Sequence, residues 1–179
     1  MPHIQPLALE TIDDEDLRAL IERAAALGVP GAVFCGVVAR VPHYAKALLR
    51  AMLVSHTEGS VDHRLKEIIR VQLARTARDP YFSRLRSARA IEQGLSEDLI
   101  DAGSGDYERD PRFTEAEKCA LRYAERMYLA PEQVDAAFYA ELKQHYSEAQ
   151  IMELGAFIAF HYGMQAFMRT LGADSTARQ

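Results

Sequence analysis

Cysteine is scarce in this chain. Cys35 and Cys119 are the only two in 179 residues, and their separation forms neither a CxxC pair nor a zinc-ligand spacing. That absence argues against a dithiol redox centre and suits a reducing cytoplasm with both thiols free. A basic block is missing too. Lys and Arg number 21 against 26 Asp and Glu, a net charge of -5, and a nucleic-acid binder needs a clustered positive face. No long apolar run survives either, because Glu153, His161 and Gln165 interrupt the most hydrophobic segment, so no membrane span is expected. The opening MPHIQPLALETIDDEDL is acidic and lacks the apolar centre of a signal peptide. Alternating strand-length patterns are absent, and no clean internal period emerges.

What remains is helix. Hydrophobic residues make up 49% of the chain, enough for one globular all-α domain over 1–179. An extended arm (1–12) carries Pro2 and Pro6. A helix from about Asp13 to Leu27 stops at Gly28-Val29-Pro30-Gly31. A short helix over Val33–Arg40 follows, then one opened by Pro42 that runs to about Ser55. His56 to Ser60 reads as a polar link. Ser96 starts a short helix, 103–112 is the clearest loop, and Thr114 with Glu117 forms a capping box for a helix to about Leu129. A helix from Pro131 to His145 and a second capping box, Ser147 with Gln150, lead into a final helix ending at Gly172. The tail 173–179 reads as frayed.

The final helix is apolar on almost every side, so it is expected either in the middle of the bundle or half inside a subunit interface.

The organising stretch is VDHRLKEIIRVQLARTARDPYFSRLRSARAIEQGL, residues 61–95. It reads as two helices in a hairpin. Val61, Leu65, Ile68, Ile69 and Leu73 stripe the first. Asp79 N-caps the second, Pro80 opens it and Gly94 ends it.

This stretch resembles the carboxymuconolactone decarboxylase / AhpD-like family. Redox members of that family carry a Glu, a Cys twelve residues on, a second Cys three further and a His four further. The same spacing falls here on Glu67, Asp79, Phe82 and Arg86, and the glycine-Leu-Ser after the motif falls on Gly94-Leu95-Ser96. The segments FTEAEKCALRYAERMYL and HYSEAQIMELGAFIAFHYGMQAFMRTLG resemble the family's closing helices, so the likeness spans roughly Pro30 to Gly172. It implies an AhpD-like helical bundle assembled as a trimer or hexamer. Both motif cysteines and the motif histidine are replaced.

The candidate residues follow from that register. On a helical wheel Glu67 sits on the face of His63, Val71 and Ala74, where a charged side chain is ordinarily solvated. The family register instead aims it into the pocket, as a proton-transferring carboxylate. His63, four residues earlier, shares that face; the two are an acid–base pair, two ligands of a metal that needs others from elsewhere, or a surface coincidence. Arg86 holds a substrate carboxylate through a two-pronged hydrogen bond or is tied up in a salt bridge to Glu67 or Asp79. Asp79 and Phe82 replace the two thiols, the first as cap and the second as pocket lining or core, and Tyr81 between them offers a hydroxyl or packs in the core. His161, on the most apolar helix, is a second acid–base group or a satisfied core histidine. Cys35 lies in a segment that often lines the family pocket; alone it is a packing residue.

Three functions compete. The first is a cofactor-free, metal-free cytoplasmic enzyme (lyase, decarboxylase, isomerase or hydrolase) acting on a small anionic molecule, with catalysis by Glu67, His63 and His161 and binding by Arg86. The second is a non-catalytic scaffold that binds small molecules or assembles. The third is the alkylhydroperoxidase activity of the family, disfavoured because a peroxidatic thiolate and its resolving partner are both missing.

Overall fold

The computed structural model describes residues 3–172; Pro2 of the arm and the tail expected to fray lie outside them. Every regular element among the described residues is helical. Nine α-helices run in order: α1 (Glu15–Leu27), α2 (Ala32–Val38), α3 (Pro42–Thr57), α4 (His63–Thr76), α5 (Ala88–Glu92), α6 (Glu97–Gly103), α7 (Glu115–Leu129), α8 (Ala136–His145) and α9 (Glu148–Thr170).

Local chemistry explains most of the boundaries. Asp14, Asp62, Ser96, Thr114, Asp135 and Ser147 each accept a backbone N–H of their own first turn. Thr114/Glu117 and Ser147/Gln150 close as full capping boxes. Gly28 ends α1 at φ 80°, a conformation a side chain disfavours. Expectation and structure differ at four places. α3 continues through His56 to Thr57, so the expected polar link is shorter. The arm contains a 3-10 turn at Leu9–Thr11. Another at Pro131–Gln133 separates Pro131 from α8.

The fourth difference matters most. No helix starts at Pro80; residues 80–84 make turns, 85–87 are irregular, and the next helix is the short α5. The carbonyls of Phe82, Ser83 and Leu85 accept from the guanidinium groups of Arg70 and Arg86. Those acceptors are therefore engaged by side chains rather than by a helical ladder.

The apolar residues gather into two cores. One is built on α4, α6, α7, α8 and the first half of α9. The other joins α1, α2 and α3 to Phe82, Met168 and Leu171. α4 lies between them, with eleven of its fourteen residues buried, so it is the helix covered all round. α9 is not: it buries Leu154, Phe157, Ile158 and His161 but presents Met152, Tyr162 and Phe167 outward.

Candidate functional site

Because α4 has no solvated face, its polar residues must be satisfied inside the protein. Lys66, Glu67 and Arg70 are all at most 1% exposed. Glu67 and Arg70 pair fork to fork: Arg70 Nε donates to Glu67 Oε2 at 2.8 Å and Nη2 donates to Oε1 at 2.7 Å. Arg70 then donates to the carbonyls of Phe82 (2.9 Å) and Leu85 (2.6 Å), which pins the 80–87 turn against α4. Glu67 Oε1 also accepts the backbone N–H of Ser87 at 2.8 Å.

Ser87 precedes α5, yet its hydroxyl does not cap that helix. It lies 2.8 Å from Nε2 of His63 instead. His63 is one of three packed imidazoles from three helices. The His56 ring on α3 stands 5.2 Å from that of His63 and 5.0 Å from that of His161 on α9. All three are at most 4% exposed. Among the described residues, both ring nitrogens of His56, Nδ1 of His63 and Nε2 of His161 have no hydrogen-bond partner.

Burial disfavours the imidazolium form of each ring. It drives His56 and His161 well below the ordinary histidine range, and the nearby charges of Arg70 and Lys66 push the same way. His63 is lowered to about 4, with burial partly offset by the negative charge of Glu67. At neutral pH the cluster is therefore uncharged and able to accept a proton. Among the described residues no group of His, Cys, Asp or Glu has an arrangement that could hold a metal ion.

Beside the imidazoles is a cleft of about 520 Å³ between α3 and α9. Val54, Ala156, Phe157 and Phe160 line it, and Glu58, Lys66 and Glu153 supply its charge. Phe157 separates the cleft from the histidines, its ring 4.2 Å from that of His161 and 5.6 Å from that of His56. Lys66 Nζ donates to Glu153 at 2.9 Å and to the carbonyls of Ser55 and Glu58. Glu153 also accepts the backbone N–H groups of Ser60 and Val61. Gly59 makes that approach feasible, since a Cβ there would meet the Glu153 carboxylate at 2.2 Å.

Of the residues singled out in the sequence, Glu67 and His63 lie in this buried site, and His161 borders it. Arg86 does not pair with Glu67 or with Asp79. Its fork closes on Glu97 of α6 at 2.7 and 2.8 Å, near the surface. Glu67 is reached first by Arg70, one turn along the same helix. Asp79 caps the turn rather than a helix, accepting from the N–H groups of Tyr81 and Phe82. Tyr81 spends its hydroxyl on the carbonyl of Pro30 and the N–H of Phe34. Phe82 packs in the core, its ring edge-on to Phe34. Cys35 belongs to the α1–α3 core and Cys119 to the other, and burial raises the two thiols to about 12 and about 11.

Sequence reasoning missed His56, Lys66, Arg70 and Ser87. The available signal was α4 itself: three charges interleaved with Leu65, Ile68, Ile69 and Val71 leave no continuous polar face.

No protein-family model matches the chain, and no curated protein matches it significantly. Solved structures do resemble it. An uncharacterised peroxidase-related protein of Ralstonia eutropha JMP134, described as an alkylhydroperoxidase AhpD core, superposes with a TM-score of 0.78 at 16% identity, covering 96% of this chain and 90% of its own. The debrominase Bmp8, in complex with 2,3,4-tribromopyrrole, gives 0.75 at 19% identity over 97% and 94%. A peroxidase-related protein of Silicibacter sp. TM1040 gives 0.76 at 15% identity over 96% and 90%. The chain has the AhpD-like helical fold.

Proposed function

We propose that this protein is an enzyme that moves a proton on a small organic molecule, with His63 as the base. The reading is carried by the 2.8 Å contact between His63 Nε2 and Ser87 Oγ in the field of the buried Glu67. With Nε2–H donating to the Ser87 hydroxyl, Nδ1 of the neutral imidazole keeps a lone pair that can take a proton from the substrate and return it to the product. His56 and His161 add two uncharged imidazoles to the same interior. In this reading the α3–α9 cleft is the entry once the Phe157 ring that parts it from the imidazoles turns aside, and its volume suits a small ligand. A fold neighbour in complex with a small halogenated pyrrole is consistent with a ligand of that size.

Two expectations enter in altered form. Glu67 is a positioning residue: it holds the Ser87 N–H and biases His63 electrostatically, while both its oxygens stay on Arg70. Arg86 binds an anionic substrate only by exchanging Glu97 for it. No dithiol step belongs to this reading, and the fold's peroxidase-related neighbours add none, because positions 79 and 82 are Asp and Phe.

The test is a turnover screen of the full chain against lactones, esters and carbonyl acids, followed by variants. His63→Gln should lower kcat/KM by about 100-fold or more, the usual share of a general base. Ser87→Ala should lower kcat with folding intact. Above about pH 5 the rate should not depend on ionisation of His63. Turnover that survives His63→Gln would remove His63 as the base, and no turnover anywhere in the screen would leave a binding scaffold as the better reading.

A further inference from the structure

A second cavity lies on the far side of the α1–α3 core. It measures about 440 Å³ and sits between the N-terminal arm and the faces of α1 and α2. Pro6, Leu7 and Leu9 form its outer wall; Ile21, Val33 and Cys35 form its inner one. None of its lining residues carries a charge. The space opens to solvent on one side, and its volume is enough for a small molecule.

The arm is held over this space by backbone hydrogen bonds as well as by the packing of Leu7 and Ile12 on the α1–α3 core. His3 N–H donates to the carbonyl of Leu171 at 2.7 Å, and Leu7 N–H donates to that of Gly36 at 2.9 Å. Arg40 Nε donates to the carbonyl of Gln5 at 2.8 Å. Gly36 is required for the fit, because a Cβ there would meet the Leu7 carbonyl at 2.6 Å and Pro6 Cβ at 2.7 Å. The arm is thus seated closely at Gly36, yet apolar space remains beneath it. Leu7 and Ile12 turn toward the core, whereas Leu9 and Ile4 stay 38% exposed and leave part of the space unfilled.

We infer that this cavity is a binding site for an uncharged, apolar small molecule, with the arm as its outer wall. The charge of the ligand follows from the lining. An ion entering here would lose its hydration and find no opposite charge, a penalty of several kcal/mol in real proteins. The one polar side chain on the inner wall is the Cys35 thiol, which burial keeps protonated. An apolar ligand would gain by burying surface against Leu7, Ile21 and Val33. This site is separate from the histidine cluster and does not depend on the proposal made for it.

The experiment titrates the full chain with N-phenyl-1-naphthylamine and, in parallel, with its anionic relative 1-anilinonaphthalene-8-sulfonate. Saturable, blue-shifted fluorescence is expected for the neutral probe, with the anionic one binding about tenfold more weakly or worse. Ala32→Trp, which fills the cavity from an exposed position on α2, should abolish the neutral signal. Ala156→Trp, in the α3–α9 cleft, should leave it intact. Amide exchange of Leu7 in the unmutated chain should slow when the neutral probe binds, a readout that holds even if a variant fails to fold. Equal affinity for both probes, loss of binding only in Ala156→Trp, or unchanged exchange at Leu7 would each overturn the assignment. Probe binding that appears only as an oligomer dissociates would do the same, since a second copy would then be the occupant.

Discussion

Glu67 and Arg70, three residues apart on α4, form a two-pronged ion pair with side chains 0% and 1% exposed. The pair is not merely local. Through Arg70 it fixes the carbonyls of Phe82 and Leu85, and through Glu67 it fixes the N–H of Ser87. A helical i, i+3 contact therefore sets the backbone of the segment that delivers Ser87 to His63.

Breaking that pair from one side should be severe. Glu67→Gln or Arg70→Met leaves a buried charge without its partner, which costs about 3–5 kcal/mol. The double variant should lose clearly less than the sum of the singles, because it removes both charges together. Urea unfolding of the four proteins measures this. Additive losses would show that the pair is energetically idle.

Acid should destabilise the protein before its carboxylates titrate. The folded-state affinities of His56, His63 and His161 for protons are lowered, so the unfolded chain binds more protons once pH falls through the ordinary histidine value of about 6.5. Stability is then full above about 6.5 and declines as pH drops toward 4, where folded His63 itself begins to protonate. Carboxylates held low, such as Glu97 beside Arg86, contribute only further down. Melting temperature measured from pH 7.5 to 4.5 should fall steadily, and His161→Gln should flatten the curve.

Thiol chemistry should be nearly silent. With Cys35 raised to about 12 and Cys119 to about 11, neither is a thiolate at neutral pH. Alkylation by iodoacetamide at pH 8 should be slow in the folded chain and rapid in urea. Dithiol-dependent peroxidase turnover should not exceed a no-enzyme control, and robust turnover abolished by Cys35→Ser would refute this.

Arg86 and Glu97 offer a cleaner separation of roles. Glu97 is largely exposed, so Glu97→Gln should change stability by no more than about 1 kcal/mol. Arg86→Met should cost more, since it also releases the carbonyls of Ser83 and Leu85. If an anionic substrate exchanges with Glu97, Glu97→Gln should lower KM at unchanged kcat; an unchanged KM would detach Arg86 from binding.

Met152, Tyr162 and Phe167 form the outer side of α9, and that side is the one proposed to meet other copies in a trimer or hexamer. Light scattering should give a multiple of 20.1 kDa, reduced by Met152→Glu with Phe167→Glu. A monomer at micromolar concentration would reject assembly.

Much of this fold was legible in the sequence because its boundaries are local. Thr114 with Glu117 and Ser147 with Gln150 declare two helix starts through contacts three residues long. The site was less legible because its contacts are not local. On a wheel Glu67 looked solvated, and only the packing of α9, α6 and α7 around α4 removes the water. His56 looked like a linker residue, and only the extension of α3 turns it inward. The helix expected after Pro80 does not form, since Arg70, ten residues earlier, engages its carbonyls. His63 and Ser87 are 24 residues apart, and nothing in their spacing announces the contact.

The last helix also has a bearing on how the chain is made. Ile151, Leu154, Phe157 and Ile158 complete one core, while Met168 and Leu171 complete the other. Synthesis proceeds from the N-terminus, and both cores wait for the same final segment. A nascent chain stalled before residue 148 would expose two unfinished apolar surfaces at once, one on either side of α4. Such species are the ones most prone to aggregate and to need chaperones. Neither half is therefore complete before α9 is present, and the one helix closes both.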